Sequence, residues 1–344
     1  MYKDSTTVNR CDYVNDYIVV SPTVIRAPQV KCDRGDYISM EDLSSRKKDW
    51  GYVCGIERTD DVTEISVMPF LGKMDVDVYK DREDLKHMTC ERFLAELIRL
   101  AYAGDDVEQN IPGLEIIAET GTEGALLNLK DNVHNIYDVA LAALKKYHIT
   151  ITFDIKVREK RVYAKIRRAT EKCATVEADL SCVTDVSVNL VDTYEMVNKV
   201  TIYGSYQETH EKYGTVETVT YYLEPGGTVT MDPQERITPV VWTIKQIEIN
   251  DDFEAEAWEV AYDTLYREEV DNNIELCVEK SGGMIDPAQF EVGQSVCVIY
   301  QGSQYATIYT GYEMSGDKAK MIFGAIRTEY TKKSRINRRL QNGN

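Results

Sequence analysis

The clearest alternation of apolar and polar positions lies near the far end of the chain, from Val292 to Arg327. Gln294 to Tyr300 is rich in β-branched and aromatic residues, Gln301-Gly302-Ser303 reads as a turn, and Tyr305 to Met314 reads as a second strand. Ser315-Gly316-Asp317-Lys318 is a second turn, and Ala319 to Ile326 a third strand. The pattern predicts a curled three-stranded meander. A version of it occurs near the start, from Arg34 to Phe70. There Gly35-Asp36-Tyr37-Ile38-Ser39 parallels Gly293-Gln294-Ser295-Val296-Cys297, and Gly55-Ile56-Glu57 parallels Gly311-Tyr312-Glu313. A polar turn (Arg58 to Asp61, Ser315 to Lys318) then leads to an apolar strand in both. A glycine that opens a strand or sits inside one has no side chain to pack, so it marks a bend, bulge or barrel corner. Two readings stay open: two small barrels of one design, or two unrelated antiparallel sheets that share common turn chemistry.

Between these stretches the period changes. Residues 1 to 80 read as strands, with apolar runs at Tyr17 to Val20, Gln29 to Cys32, Gly35 to Met40, Tyr52 to Glu57 and Glu64 to Phe70. From Thr89, a plausible N-cap, Phe93, Leu94, Leu97, Ile98 and Ala101 recur at helical spacing up to Gly104, which is placed for a left-handed C-cap. A second helix runs from Asn132 or Asn135 to Tyr147, and a hairpin follows, Ile149 to Val157 and Arg161 to Arg168. Strands resume at Val183 to Leu190, Lys199 to Tyr203, Val216 to Leu223, Thr228 to Met231 and Val240 to Ile249. An acidic helix, Asp251 to Asp271, buries Phe253, Ala257, Ala261 and Leu265. The expected fold class is α+β, mainly β: two related small antiparallel β-barrels with an α/β helical insert. The expected domains are 1–80, first barrel; 81–175, insert; 176–232 with 275–330, a second, discontinuous barrel; 233–274, a strand-helix segment packing with the insert; and 331–344, a basic tail.

Composition narrows the function. Apolar residues at 43% and charged residues at 28% fit a folded globular chain, and 23 tyrosines against 6 phenylalanines favour half-buried β-surfaces and interfaces. A formal charge of −18 disfavours a general nucleic-acid or anionic-membrane binder, although that sign would keep DNA from adhering to a channel wall. The opening residues lack the apolar core of a signal peptide, and no apolar run reaches the roughly 18 residues of a membrane span, so synthesis and assembly are expected in the cytoplasm.

Candidate chemistry is sparse. The cysteines (Cys11, Cys32, Cys54, Cys90, Cys173, Cys182, Cys277, Cys297) are scattered and read as reduced, packed thiols. Cys54 and Cys297 fall in strands read as matching, with no neighbouring histidine to activate a nucleophile. His87, His134, His148 and His210 show no ligand spacing. No phosphate-binding loop or nucleophile elbow occurs, and any choice of two acids as a glycosidase dyad is arbitrary. Neither catalytic residues, cofactors nor metals are expected. The one charged cluster against the trend is Lys332, Lys333, Arg335, Arg338 and Arg339, read either as a solubilising end or as a docking arm for an acidic neighbour.

The Gly-Asp-x-Ile opening at Gly35, the Gly-Ile-Glu strand at Gly55 and the closing Phe323-Gly324-Ala325-Ile326-Arg327-Thr328, in this order around a helical insert, resemble the tail-hub proteins of long-tailed bacteriophages. That family includes baseplate hubs and the N-terminal part of tail-associated lysins. The resemblance implies a non-enzymatic virion component, a homotrimeric adaptor between a six-fold tail tube or distal tail ring and a three-fold tip. It would enclose the channel for tape measure and DNA. The implied partners are further copies of itself, a distal tail or tail-tube protein, the tape-measure C-terminus and a tip, fibre or lysin subunit. Sequence-specific nucleic-acid binding and membrane insertion are not implied. Many relatives continue into a peptidoglycan hydrolase, whereas this chain ends soon after the second barrel, so lytic activity is expected on another subunit. The alternatives are a carboxylate-dependent virion-associated glycosidase and a carbohydrate-binding β-protein with tyrosine platforms.

Overall fold

The computed structural model describes residues 12–324 apart from 19, 28–29, 42–47, 60, 82, 85–87, 120, 122–131, 157–158, 171, 190–196, 209, 225–228, 250–251, 266–271 and 280–283. The chain is mainly β and divides into two compact units, residues 1–188 with 273–344, and residues 189–272.

The first unit begins with β1 (Asp12–Asp16), β2 (Thr23–Ala27), β3 (Tyr37–Glu41), β4 (Lys48–Arg58) and β5 (Thr63–Pro69). It continues with β6 (Asp77–Tyr79), α1 (Cys90–Tyr102), β7 (Leu114–Ala118), β8 (Val133–Asn135), α2 (Ile136–Tyr147), β9 (Ile149–Lys156), β10 (Arg161–Arg168), β11 (Ala174–Glu177) and β12 (Val183–Asn189). The second unit holds β13 (Lys199–Tyr206), β14 (Val216–Leu223), β15 (Val229–Thr230), β16 (Trp242–Ile249) and α3 (Phe253–Leu265). The chain then returns to the first unit with β17 (Asn273–Glu279), β18 (Ser295–Tyr300), β19 (Ser303–Ser315) and β20 (Lys318–Gly324).

Two sheets of the first unit repeat one local plan. The order β2-β5-β4-β3 recurs as β17-β20-β19-β18, with antiparallel neighbours throughout. In the first sheet Val53 lies opposite Val67 and Gly55 opposite Ser66, which leaves Cys54 as an extra residue in β4. In the second, Tyr309 lies opposite Phe323 and Gly311 opposite Ile322, which leaves Thr310 extra in β19. Each is a β-bulge, and a bulge bends the strand that carries it. The turns that open the two meanders match as well. Gly35 and Gly293 have φ of 87° and 84°, the left-handed region that favours glycine. Gly35 donates to the Val53 carbonyl at 2.8 Å, as Gly293 does to Tyr309 at 2.8 Å. The Val53 and Tyr309 amides return bonds of 2.9 Å to Asp36 and Gln294. The Asp36 carboxylate caps the Asp33 amide at 2.9 Å, and the Gln294 side-chain oxygen caps the Glu291 amide at 3.1 Å. The bulge register carries Val53, Ile65 and Val67 of one core onto Tyr309, Met321 and Phe323 of the other, all buried.

The second sheet is larger. Strand β11 pairs parallel to β18, β12 lies outermost beside β17, and β1 pairs antiparallel with the second half of β19, Asp16 opposite Gly311. The sequence pattern missed β1 and placed a strand at Tyr17 to Val20 instead. Tyr17 and Ile18 are bends there, and Tyr17 is buried. The Tyr17 hydroxyl accepts from the Ile151 amide at 3.0 Å, and its carbonyl accepts from the Tyr137 hydroxyl at 2.8 Å, so the segment behind β1 is tied to α2 and β9. Asp49 of β4 accepts from Asn15 Nδ2 at 3.1 Å and from the Tyr312 hydroxyl at 3.2 Å, which joins the first sheet to β1 and β19.

Both helices expected between residues 81 and 175 are present. Thr89 caps α1 through the Arg92 amide, and Phe93, Leu94, Leu97 and Ile98 are fully buried. Helix α2 starts at Asn135 rather than Asn132, since Asn135 accepts from the Asp138 amide at 3.2 Å. Gly104 is not the left-handed cap expected of it; α1 ends on Ala103, and the left-handed residue after α2 is His148, φ 55°. A strand unforeseen between the helices, β7, runs parallel to β10.

The expected division of the second barrel is corrected. Of the segment 176–232, only β11, which begins just before it, and β12 belong with β17 to β20. Strands β13 to β15 pair instead with β16, in the order β15-β14-β13-β16. The reason is the long parallel register of β13 on β16, Lys199 opposite Trp242 through Tyr206 opposite Ile249. The segment 233–274, expected to pack with the insert, supplies a strand and a helix to this sheet's own core. Phe253, Ala257, Ala261 and Leu265 of α3 pack on Val200, Ile202, Tyr221 and Leu223 of that same sheet. Gly204 makes room for the Phe253 ring, which would lie 2.6 Å from a Cβ there.

The two bulge glycines differ in what faces them. A Cβ at Gly311 would overlap the backbone of β1, with Asp16 Cα at 2.6 Å, whereas at Gly55, among the described residues, it would meet the Ser66 side chain at 3.3 Å and no backbone. Gly311→Ala is therefore expected to lower stability by roughly 2–3 kcal/mol in urea unfolding, and Gly55→Ala by about 1 kcal/mol or less. Equal losses would contradict the account of β1.

Candidate assembly surfaces

The basic residues singled out in the sequence, Lys332, Lys333, Arg335, Arg338 and Arg339, lie outside the described residues. Among the described residues, no group of three or more His, Cys, Asp or Glu side chains is placed to hold a metal ion, and no helix is long and apolar enough to cross a membrane. His87 lies outside the described residues. His134 is buried against Phe93 with Nε2 2.8 Å from the Lys80 carbonyl oxygen. Burial, with Arg168 nearby, holds His148 below the usual imidazole range. His210 stacks on Tyr206 and accepts from the Lys212 amide. These histidines are in three different places and each is engaged locally.

Burial pushes the thiols of Cys54 and Cys277 up, and Cys90 up to about 12. A nucleophilic cysteine needs the opposite shift. Cys54 and Cys297 are not in equivalent strands: Cys54 is the bulge residue of β4, while Cys297 lies in β18 opposite Ala306, a strand that corresponds to β3. The parallel between the two glycine-led segments itself sets Cys297 against Ser39 of β3.

The second unit carries a shallow depression of about 360 Å³ lined by Glu217, Tyr221, Met231, Phe253 and Glu254. Its Glu217 is poorly suited to acid catalysis. The Tyr206 hydroxyl at 2.7 Å and Lys212 Nζ at 3.3 Å hold Glu217 below the usual carboxylate range. Glu235 is raised by its hydrogen bond to Glu224 and by that neighbour's charge, yet it is fully exposed. A glycosidase acid is made by desolvation that keeps it protonated near neutral pH. On the opposite face of the same sheet, Trp242 is 63% exposed, Ile244 52% and Tyr203 39%, a surface the sequence pattern did not single out.

A second feature is an edge. The first half of β4 pairs with β3, Tyr37 opposite Tyr52 through Glu41 opposite Lys48. Beyond the bulge, Gly55–Arg58 pairs with β5 on one side, and among the described residues no strand lies along the other. The corresponding edge of β19 is the one filled by β1.

This architecture has counterparts among solved structures. A 43 kDa tail protein of prophage MuSo2 from Shewanella oneidensis superposes with a TM-score of 0.54 at 14% identity, over 93% of this chain and 95% of that one. A chain of the phage P2 baseplate in its activated conformation superposes with a TM-score of 0.51 at 12% identity, over 93% of this chain and 88% of that one. The fold is that of phage tail and baseplate proteins. No family profile and no curated protein matches the sequence. At this identity the tail-protein fold is kept by pattern rather than by residue identity. The matching turns and bulges at Gly35, Gly293, Gly55 and Gly311 are the part of this chain's own fold that its sequence displays openly.

Purified chain is expected to leave the turbidity of a cell-wall suspension at the buffer rate. Sugar release that is lost on Glu217→Gln or Glu254→Gln would contradict the reading of the depression as non-catalytic.

Proposed function

We propose that the chain is a structural hub of a phage tail, a homotrimeric adaptor between a six-fold tail tube or distal tail ring and a three-fold tip, enclosing the channel for tape measure and DNA. The observation that carries this reading is the recurrence of one sheet plan within one chain, with its glycine turn and its bulge. We read the two sheets as related barrels. Three chains then supply six similar units to a ring, while the insert and the second unit each occur three times, which is what a six-to-three connector needs. The fold shared with tail and baseplate proteins supports the same role.

On this reading the chain acts by binding protein partners and not by catalysis. The partners are its own copies, a distal tail or tail-tube protein, the tape-measure C-terminus and a tip, fibre or lysin subunit. Its place is the virion tail tip, after assembly in the host cytoplasm. The formal charge of −18 suits a channel that DNA must pass without adhering. One observation favours a second reading, a carbohydrate-binding β-protein: the exposed face of Trp242, Ile244 and Tyr203. Glycan-array binding lost on Trp242→Ala would favour it.

Native mass measurement is expected to give a trimer, or a monomer that trimerises on its tail partner; a stable dimer, or a map with six copies in one ring, would contradict the adaptor. The basic residues Lys332, Lys333, Arg335, Arg338 and Arg339 serve in this reading as a docking arm. Their joint neutralisation is expected to weaken partner binding at least ~10-fold, with a shallower salt dependence. Unchanged assembly after deletion of Ser334 to Asn344 would leave only a solubilising role.

A further inference from the structure

The open edge of β4 and the strand β12 correspond to a junction that the chain already makes once with itself. Strand β1 precedes β2, lies against it through the Val14 amide and Thr23 Oγ1 at 3.4 Å, and crosses to pair antiparallel with Gly311–Ser315 of the other sheet. In the repeated plan β17 takes the place of β2, since Thr23 lies opposite Val67 as Ile274 lies opposite Phe323. The strand that precedes β17, once residues 189–272 are set aside as a separate unit, is β12, and it is the outermost strand of its sheet. So β12 precedes and flanks β17 as β1 precedes and flanks β2, with the difference that β12 is hydrogen-bonded into its own sheet whereas β1 forms its ladder on β19. The edge of β4 at Gly55–Arg58 is the counterpart of the edge of β19 on which β1 lies.

We propose that β12 of one copy pairs antiparallel with Gly55–Arg58 of β4 in the next copy, so that the junction between chains repeats the junction within each chain. An edge strand offers backbone donors and acceptors to another strand, and a head-to-tail contact of this kind pairs them and forms a ring when the rotation between copies closes, as the hub reading requires. Gly55 supplies an independent reason. A glycine inside a strand lowers stability, and at Gly311 the structure shows why it is kept: the β1 backbone lies where a Cβ would be. At Gly55, among the described residues, no such backbone is within 4 Å and the Ser66 side chain lies at 3.3 Å. A strand from a second copy, laid on β4 as β1 lies on β19, gives Gly55 the same role. The proposal rests on the hub reading for the number of copies and on the fold alone for the edge.

The test mixes two full-length chains distinguishable by a tag, one carrying Glu57→Cys and the other Asp185→Cys. Both positions are exposed and beside the two edges. Under mild oxidation at concentrations up to about 1 mM, which populate even a weak interface, a cross-linked heterodimer is expected from the mixture and from neither chain alone. Adding Gly55→Ala to the Glu57→Cys chain is expected to lower cross-linking at least tenfold, with the chain's own unfolding nearly unchanged. Absence of the mixed product, or indifference of its yield to Gly55→Ala, would overturn the proposal. The outcomes separate it from the hub reading. A trimer by mass without the cross-link keeps the hub and discards this edge. A cross-linked ring of another number does the reverse.

Discussion

Backbone hydrogen bonding along two long, bent strands is the constraint on which the first unit depends. Strands β4 and β19 each run through a bulge, and the bulge turns the second half of the strand away from the partner that pairs with its first half. That half must find another neighbour or leave its donors and acceptors to water. For β19 the neighbour is β1, and a glycine lets the two backbones approach. Asp49 then bridges Asn15 and Tyr312, and Tyr17 passes on to Ile151 and Tyr137. Two sheets and the insert are thereby joined at one place.

What could be read from the sequence follows from how local its cause is. The turns at Gly35 and Gly293 depend on residues within a few positions, a left-handed glycine and a side chain that caps backward, and these were legible as a repeat. The helices were legible because Phe93, Leu94, Leu97 and Ile98, or Phe253, Ala257, Ala261 and Leu265, recur at helical spacing. Strand β1 was not, because Asp12-Tyr13-Val14-Asn15-Asp16 has little apolar content of its own and its partner lies at the other end of the chain. The split between β12 and β13 was hidden for the same reason. Nothing near Lys199 announces that its parallel neighbour is Trp242. The open edge of β4 left one trace in the sequence, a glycine inside a strand that the isolated chain has little use for.

The division into two units bears on function. The surface with exposed Trp242, Ile244 and Tyr203 belongs to residues 189–272, whereas the repeated sheets belong to the other unit. The sheet edges and the aromatic face thus lie on different units of the chain. The low identity to the Shewanella prophage protein and the P2 baseplate chain is consistent with a fold held by edge pairing and core pattern, which many side chains satisfy equally well.

Hydrogen exchange on the dilute, unassembled chain tests most directly whether one edge is filled and its counterpart open. The account predicts that amides of Gly311–Ser315, covered by β1, exchange far more slowly than those of Gly55–Arg58, although the two segments hold equivalent places beyond their bulges. Equal protection of both segments in the dilute chain would contradict it.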